Sequence, residues 1–296
     1  MEPSSILLKN TRLAVEISRP GSLYAGSRFD WTGFITQVTL DGQHTFCVPE
    51  DYDPEQGSHG VGLCNEFGID APIGYEDCPV GGTFPKLGIG LLLRPDGEPY
   101  NFFRPYTVVQ AFPLEITQDE TSVTFTLQPL ETRGYAARLV KRLSLAENRL
   151  EIAYTLTNTG AQPLHTNEYV HNFIGIDQQP LGPDYCLTLS APVEPEPMPW
   201  QAPGNHLLRI SGREIRLSAT PQGAFYLRMP GPAATTGAQW QLQHLPSGVS
   251  MGEFDDFAPM RAAVWGQAHV ISAEMFMPLA LAPGAAQSWT RRFLFS

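Results

Sequence analysis

Cysteine is scarce and scattered in this chain. Its 296 residues include only four cysteines, with no CxxC pair and no metal-ligand spacing among them. Four scattered thiols in a chain of this length are far below the density of a disulfide scaffold. We therefore predict that they are buried, reduced side chains. The four are Cys47, Cys64, Cys78 and Cys186.

Metal and nucleotide signatures are also missing. No pair of histidines has zinc-site spacing, and the acidic clusters lack the full ligand spacing of a calcium loop. The glycine-containing segments at 62–68 and 88–93 lack a following Lys-Ser/Thr or fingerprint helix, and no serine elbow occurs. The sequence therefore predicts no metal site and gives little support to nucleotide binding.

Basic charge is in short supply. The chain has 19 Lys and Arg against 30 Asp and Glu, a net charge of −11, which disfavours nucleic acid or an anionic membrane surface as the main partner. No window approaches the ~20 apolar residues of a membrane span. The first 18 residues lack the basic flank and apolar length of a signal peptide. We expect a cytoplasmic protein whose ligand is a small neutral molecule.

Long amphipathic helical patterns are hard to find, whereas alternating patterns recur. Period-two patterns run through 123–127, 150–156 and 289–295, and 27 Gly and 27 Pro divide the chain into short pieces. This predicts an all-β antiparallel sandwich that occupies residues 1–296 as one domain. Hairpin turns are predicted at 40–43, 94–99, 146–148 and 157–162.

Two stretches about a hundred residues apart carry the candidate chemistry. TNEYVHNFIGI at 166–176 offers Glu168 and His171, and an apolar run near the C-terminus offers Glu274. A histidine with a carboxylate is the minimal set for adding a proton to one atom while removing one from another. The sequence therefore favours acid–base chemistry on a small polar substrate.

The same stretches resemble a known family. The order RGYAARLVKRLSLAENRLEIAYTLTNTGAQPLHTNEYVHNFIGI at 133–176 resembles the middle of aldose 1-epimerases (galactose mutarotases) and their hexose-6-phosphate relatives. AAVWGQAHVISAEMFMPLALAPGAAQSW at 262–289 is similar to the family region with a strand ending in tryptophan, a strand carrying the catalytic glutamate and an "L-x-PG" turn. The pattern spans roughly residues 20–295 and is one of order rather than of close identity.

The resemblance implies a galactose mutarotase-like β-supersandwich whose concave face binds a sugar. Glu274 would be the base that removes the anomeric hydroxyl proton, and His171 the acid that protonates the ring oxygen. Ring opening, rotation and closure would interconvert the anomers, as in an isomerase of carbohydrate metabolism, without a cofactor. Trp265 would stand where the tryptophan-ending strand meets the cleft.

Strand parity bears on the choice between two residues. Successive side chains of a strand alternate faces, so Glu168 and His171 cannot both line one cleft unless a bulge intervenes. A gapless match of the two TN dipeptides would place Glu168 at the family's histidine position. We favour His171, which keeps the residue type, and retain Glu168 as a candidate ligand contact.

Other polar residues are candidates for substrate binding. In the family segment that matches GTFPKLGIGLLLRP a second histidine is expected, but here Leu87 precedes Gly88 and Lys86 is the charged neighbour. Lys86 would then contact sugar hydroxyls, and Glu274 has an alternative reading as the partner of an arginine such as Arg261. The remaining candidates, on strand-like or Gly-rich segments, are Arg28, Asn65 and Glu66.

Two alternative functions fit the same residues. The missing histidine favours a carbohydrate-binding protein without turnover. A hexose-phosphate mutarotase is the other alternative, since Arg28, Lys86, Arg94 and Arg104 would form a phosphate site if they converged.

Overall fold

The computed structural model of the chain describes residues 4–53, 55–232 and 238–296. Its described residues form 22 strands and two short 3₁₀ helices, at Ile176–Gln178 and Pro203–Leu207. The strands are β1 Ser5–Lys9, β2 Leu13–Ser18, β3 Phe34–Leu40, β4 His44–Thr45, β5 Gly62–Phe67, β6 Thr83–Lys86, β7 Gly90–Leu93, β8 Val108–Ala111, β9 Leu114–Gln118, β10 Ser122–Leu127, β11 Ala137–Ala146, β12 Arg149–Asn158, β13 Leu164–Phe173, β14 Tyr185–Leu189, β15 Leu208–Ser211, β16 Glu214–Leu217, β17 Phe225–Pro230, β18 Trp240–His244, β19 Ser250–Asp255, β20 Arg261–Gln267, β21 Val270–Leu281 and β22 Ala286–Phe295.

Two large sheets pack face to face. The first has the order β1-β2-β3-β5-β13-β21-β20-β17, with β4 beside β3, and the second has the order β15-β16-β14-β18-β19-β22-β12-β11-β10-β9. All strand pairs in both sheets are antiparallel. The predicted all-β antiparallel sandwich is therefore confirmed.

Alternation along the strands builds the core between the sheets. In β12, Leu150, Ile152, Tyr154 and Leu156 are buried while the residues between them are partly exposed, as the period-two pattern predicts. One cluster of buried apolar side chains joins both large sheets, from Ile6 near the N-terminus to the last strand. Each fully buried aliphatic or aromatic side chain in it contributes about 1.5–3 kcal/mol.

The predicted turns have mixed outcomes. Residues 41–43 join the hairpin β3–β4, with positive φ at Asp41 and Gly42, and Glu147–Asn148 joins the hairpin β11–β12. Residues 94–99 belong to a longer connection, 94–107, between paired strands β7 and β8. The hairpin at 157–162 is wrong, because β12 and β13 lie in different large sheets. A turn signal shows where the chain reverses but does not determine which strand it rejoins.

A small third sheet, β6-β7-β8, carries its own aromatic cluster. Within the connection 94–107, the rings of Tyr100 and Tyr106 are stacked, with centroids 5.2 Å apart. Arg94 Nη1 donates to the carbonyls of Tyr75 and Cys78, at 2.9 and 2.7 Å. These contacts hold the connection in one shape beside the first large sheet.

The four cysteines are buried and free. Among the described residues, no helix is both long enough and apolar enough to pass through a membrane.

Candidate functional site

A cavity of about 370 Å³ opens on one face of the first large sheet. Its floor comes from alternate residues of four neighbouring strands, β13, β21, β20 and β17, and its rim comes from connections that are distant in the sequence. The lining residues are Arg28, Glu50, Ile69, Asp70, Phe102, Phe103, Tyr169, His171, Met198, Trp200, Ala202, Ala224, Tyr226, Arg228, Arg261, Trp265, Glu274 and Phe276. We call this the sheet cavity.

Strand parity determines what β13 contributes. Tyr169 and His171 face the sheet cavity, while Glu168 faces the interior between the two large sheets. Opposite positions of antiparallel neighbours share a face, so Glu66, which pairs with Tyr169, lies on the cavity side of β5. Asn65, one residue earlier, lies on the interior side with Glu168. No bulge in the β13–β5 register changes this alternation.

The backbones of β13 and β21 separate at the site. Their register runs from Leu164↔Leu281 to Glu168↔Met277, stops, and resumes at the isolated bridge Ile174↔Ile271. In the same register His171 stands opposite Glu274, inside the interruption. Side chains bridge the two strands where their backbone hydrogen bonds are interrupted. The interrupted stretch therefore places two titratable groups, His171 and Glu274, side by side.

The side chains of Ser272 and Asn172 bridge β13 and β21 across this interruption. Ser272 Oγ accepts the backbone N–H of Asn172 at 2.9 Å, and the Asn172 amide donates to the carbonyl of Ala273 at 2.6 Å. The Ser272 hydroxyl in turn donates to Glu274 Oε1 at 3.0 Å. The hydrogen bonds that hold the split strands together thus also orient the glutamate.

Glu274 and His171 are in direct contact. The distance between His171 Nε2 and Glu274 Oε1 is 3.3 Å, and both side chains are buried. We call these two residues the acid–base pair. Arg261, the alternative partner considered for Glu274, pairs with Asp70 instead, at 2.8 Å. The carboxylate therefore faces an imidazole rather than a guanidinium.

Burial shifts both members of the acid–base pair toward their neutral forms. It raises the pKa of Glu274 from 4.5 to about 7, against the smaller opposing effect of the Ser272 hydrogen bond. Burial also lowers the pKa of His171 well below its ordinary value, and the positive charge of Arg28 lowers it further. Near pH 7 the form of the pair that carries one proton, on Glu274, is therefore about half populated, and both groups are neutral in that form.

Aromatic rings surround the imidazole. His171 stacks on Phe173 with ring centroids 4.1 Å apart, and Trp265 meets it edge to face at 5.3 Å. His171 Nδ1 is buried and has no hydrogen-bond partner among the residues that the structure describes. The ring is thus fixed by packing, and Nε2 is the nitrogen that meets Glu274.

Arg28, Glu66 and Lys86 form a buried ionic chain beside the cavity. Arg28 Nε donates to Glu66 Oε2 at 2.9 Å, and Lys86 Nζ donates to Glu66 Oε1 at 3.3 Å. The Tyr169 hydroxyl donates a hydrogen bond to Glu66 Oε2 at 2.8 Å. Arg28 lines the sheet cavity, whereas Lys86 and Glu66 lie behind it. Burial lowers the pKa of Lys86, and Glu66 opposes that shift.

Asn65 and Glu168 belong to a polar network between the large sheets rather than to the cavity. Arg291 Nη2 donates to Glu168 Oε2 at 2.8 Å, and Arg291 Nη1 donates to Glu253 Oε1 at 2.7 Å. Asn65 donates to Glu168 and accepts the Tyr154 hydroxyl at 2.7 Å. Every one of these side chains is buried. Glu168 and Asn65 point there because of the parity and register that place Tyr169 and His171 in the cavity.

Asp255 completes this network. Its Oδ2 lies 3.5 Å from Arg291 Nη1, and burial together with Glu253 raises the pKa of Asp255 well above its ordinary value. One guanidinium therefore faces three carboxyl groups in the core.

The region of the expected second histidine is not part of the cavity lining. Leu87 is buried in the main apolar core, 3% exposed. Two of the four cations of the alternative phosphate site, Arg28 and Arg104, line one groove, where each has a carboxylate partner, Glu66 or Asp96. Arg94 instead binds backbone carbonyls. A phosphate site at these four residues therefore stays a prediction.

Several cavity residues were not identified as site residues from the sequence. Asp70 Oδ2 accepts from Arg261 and from Asn167, the latter at 3.2 Å. Trp200, half exposed, stacks on Tyr226 with ring centroids 5.5 Å apart. Trp200 stands in the Pro-rich connection at 191–200, where an exposed aromatic in a loop was the one available signal.

No group of three or more His, Cys, Asp or Glu side chains arranged to hold a metal ion occurs in the described ranges.

Comparison with solved structures identifies the fold. A galactose mutarotase-like protein from Lactobacillus casei superposes with a TM-score of 0.62 at 16% identity, over 99% of this chain and all of that one. A putative aldose 1-epimerase from Escherichia coli gives 0.60 at 13% identity, over 99% and 98%. The GalM/aldose epimerase homologue from Caenorhabditis elegans gives 0.60 at 11% identity, over 99% and 98%. No protein-family model and no curated protein matches. The chain therefore has the galactose mutarotase-like β-supersandwich fold that the sequence predicts.

Proposed function

On this fold, we propose that the sheet cavity binds an aldose and that the acid–base pair interconverts its anomers. The observation that carries the proposal is the contact at 3.3 Å between His171 Nε2 and Glu274 Oε1 on the cavity wall. Two similar structures are those of a putative aldose 1-epimerase and of an aldose epimerase homologue, which agrees with this chemistry. A fold alone does not fix an activity, so the argument rests on the site.

The proton shared by the pair explains how both roles operate together. Opening a pyranose ring requires a base at the anomeric hydroxyl and an acid at the ring oxygen. Transfer of the shared proton from Glu274 to His171 creates both at once, a carboxylate and an imidazolium, without changing the net charge of the pair. Glu274 then removes the hydroxyl proton and His171 protonates the ring oxygen. After rotation about the exposed carbon–carbon bond, the reverse transfers close the ring on the other face.

The walls of the cavity suit a sugar. Trp265, Tyr169 and Phe276 present aromatic surface for the apolar face of a pyranose, and Arg28 presents a guanidinium at the wall. The volume of about 370 Å³ lies in the range of ~300–1,000 Å³ that is usual for small-molecule sites. A small ring with polar edges fits this combination.

Charge pairing favours a neutral aldose over a sugar phosphate. Each arginine of the cavity has a carboxylate partner: Arg28 with Glu66, Arg261 with Asp70 and Arg228 with Glu196, at 2.9, 2.8 and 2.6 Å. A phosphate would need guanidinium groups that are free to form charge-assisted pairs with it. Competition by inorganic phosphate or sulfate separates the two readings, and a neutral-aldose enzyme is unaffected by either anion.

Anomer exchange measured by NMR on neutral hexoses, pentoses, uronic acids and sugar phosphates tests the proposal. We expect acceleration on a neutral aldose that Glu274→Gln and His171→Gln each abolish. His165→Gln, on the same strand but exposed, and Glu120→Gln, at an exposed turn, are matched controls that retain full activity. Binding of the sugar without acceleration would instead identify a carbohydrate-binding protein without turnover, and neither binding nor acceleration on any sugar would overturn both readings.

A further inference from the structure

The hydroxyl of Ser272 lies between the interrupted pairing of β13 with β21 and the acid–base pair. It accepts the backbone N–H of Asn172 at 2.9 Å and donates to Glu274 Oε1 at 3.0 Å. The direction of both bonds is fixed, because an amide N–H only donates and therefore leaves the hydroxyl proton for the glutamate. Ser272 is 0% exposed, so bulk water does not compete for either bond.

The contacts around Ser272 form a closed ring. Asn172 follows His171 directly in β13, and His171 Nε2 lies 3.3 Å from Glu274 Oε1, the same oxygen that accepts the Ser272 hydroxyl. On the other side of β21, the pairing with β20 is continuous. The ring therefore ties the separation of the imidazole and the carboxylate to the backbones of β13 and β21.

The two oxygens of Glu274 consequently have different surroundings. Oε1 meets both the Ser272 hydroxyl and the imidazole of His171. Oε2 has no hydrogen-bond partner among the residues that the structure describes, and Glu274 lines the sheet cavity. Oε2 is thus the oxygen of this side chain that is available to a substrate.

Resting on the proposed function, we propose that Ser272 is a positioning residue that holds Glu274 Oε1 against His171 and leaves Oε2 to remove the anomeric hydroxyl proton. A hydroxyl forms a stronger hydrogen bond to a carboxylate than to a neutral carboxyl group. Ser272 therefore favours transfer of the proton from Oε1 to His171 Nε2, the step that creates the base. Ser272 itself exchanges no proton with the sugar.

The pH dependence of anomer exchange tests this role. The Ser272 hydrogen bond lowers the pKa of Glu274 against the effect of burial, so its loss raises that pKa. In Ser272→Ala we expect kcat to fall about tenfold, the effect of one hydrogen bond to a charged group, and the alkaline limb of the rate profile to move to higher pH. KM should stay unchanged, because Ser272 does not line the cavity. Ser272→Thr, which keeps the hydroxyl, should keep the wild-type limb.

Two further variants separate positioning from support of the fold. Asn172→Ala removes the other side-chain bond across the interruption, to the carbonyl of Ala273, without touching Glu274. It should leave the alkaline limb at its wild-type pH. Ser272→Cys keeps an atom that accepts the Asn172 N–H but donates only weakly, so it should shift the limb as alanine does, even if Ser272→Ala does not fold.

Carbon NMR reports the same titration without a substrate. The side-chain carboxyl carbon of Glu274 is observed in protein made with isotopically labelled glutamate, and its signal is assigned by its absence in Glu274→Gln. Its titration should move to higher pH in Ser272→Ala and Ser272→Cys and stay in place in Asn172→Ala.

Two results would overturn the inference. A limb and a carboxyl titration that stay at the wild-type pH in Ser272→Ala and Ser272→Cys would show that the hydroxyl does not favour the carboxylate. An equal shift in Asn172→Ala would attribute the effect to the strand interruption rather than to the hydroxyl. Neither result bears on the proposed function, which absence of acceleration on every sugar would refute; the carboxyl titration still measures the effect of Ser272 on Glu274 in that case.

Discussion

Replacing Glu274 with glutamine should raise the stability of the folded protein at neutral pH while it abolishes activity. Glu274 is 5% exposed, and burial raises its pKa from 4.5 to about 7. The folded state therefore holds this proton more tightly than the unfolded chain does, and stability falls as pH rises between the two values. Glutamine has the same shape, accepts the Ser272 hydroxyl in the same way and never ionises.

The magnitude follows from the shift. At 1.36 kcal/mol per pKa unit, a rise from 4.5 to about 7 corresponds to about 3 kcal/mol. The free energy of unfolding of Glu274→Gln minus that of the wild type should thus increase by about 3 kcal/mol from pH 4.5 to pH 8, with most of the change below pH 7. A constant offset from altered hydrogen bonds does not affect this pH-dependent part.

Urea unfolding at several pH values between 4.5 and 8 measures the difference. Glu120→Gln is the control for the substitution itself, since that side chain is exposed, and its difference from the wild type should stay constant. The comparison repeated in a His171→Gln background removes the imidazole's own titration. A difference that does not change with pH would refute the raised pKa, and one that decreases would show that the carboxylate form is the stabilised one.

Four further outcomes are expected. Anomer exchange should have a bell-shaped pH dependence, because the pair works with one shared proton. The rate should fall when the pH rises above about 7 and when the pH drops below the lowered pKa of the imidazole. A rate that rises steadily past pH 8 would refute this. Lys86→Met should lower the free energy of unfolding in urea by about 3 kcal/mol, because a buried carboxylate loses one of its two cations. Arg291→Met should cost about 4 kcal/mol or more in the same assay, since three buried carboxyl groups lose the guanidinium that they share, and a loss below about 1 kcal/mol would contradict it. Leu87→His should cost about 3 kcal/mol, by loss of core packing and burial of an imidazole, and leave kcat no higher than in the wild type.

Local patterns were sufficient to predict the architecture. Alternation along β12 and β22 identified which side chains point inward, since that periodicity is a property of one strand alone. The same parity separates Glu168 from His171, and it required no knowledge of neighbouring strands. The family pattern supplied the fold, which the structural comparisons confirm.

Non-local pairing was beyond the reach of the sequence. The pattern contains no sign that Arg291 would meet Glu168 across the two sheets, or that the turn at 157–162 leads to the other sheet. Rim residues such as Trp200 and Phe103 come from connections whose course depends on packing rather than on periodicity. Glu66 and Lys86 were selected as ligand contacts, but the register of β5 with β13 places Glu66 behind Arg28, and Lys86, at the end of β6, pairs with Glu66 there.

The interrupted pairing of β13 with β21 restricts how this chain is able to change length over evolution. The register that ends at Glu168↔Met277 resumes unchanged at Ile174↔Ile271. Deleting Tyr169 or Val170 would turn every following side chain of β13 to the opposite face, removing the imidazole from the cavity. Descendants of this sequence are therefore expected to gain or lose residues here only in pairs, or in both strands together, while the rim connections vary freely in length.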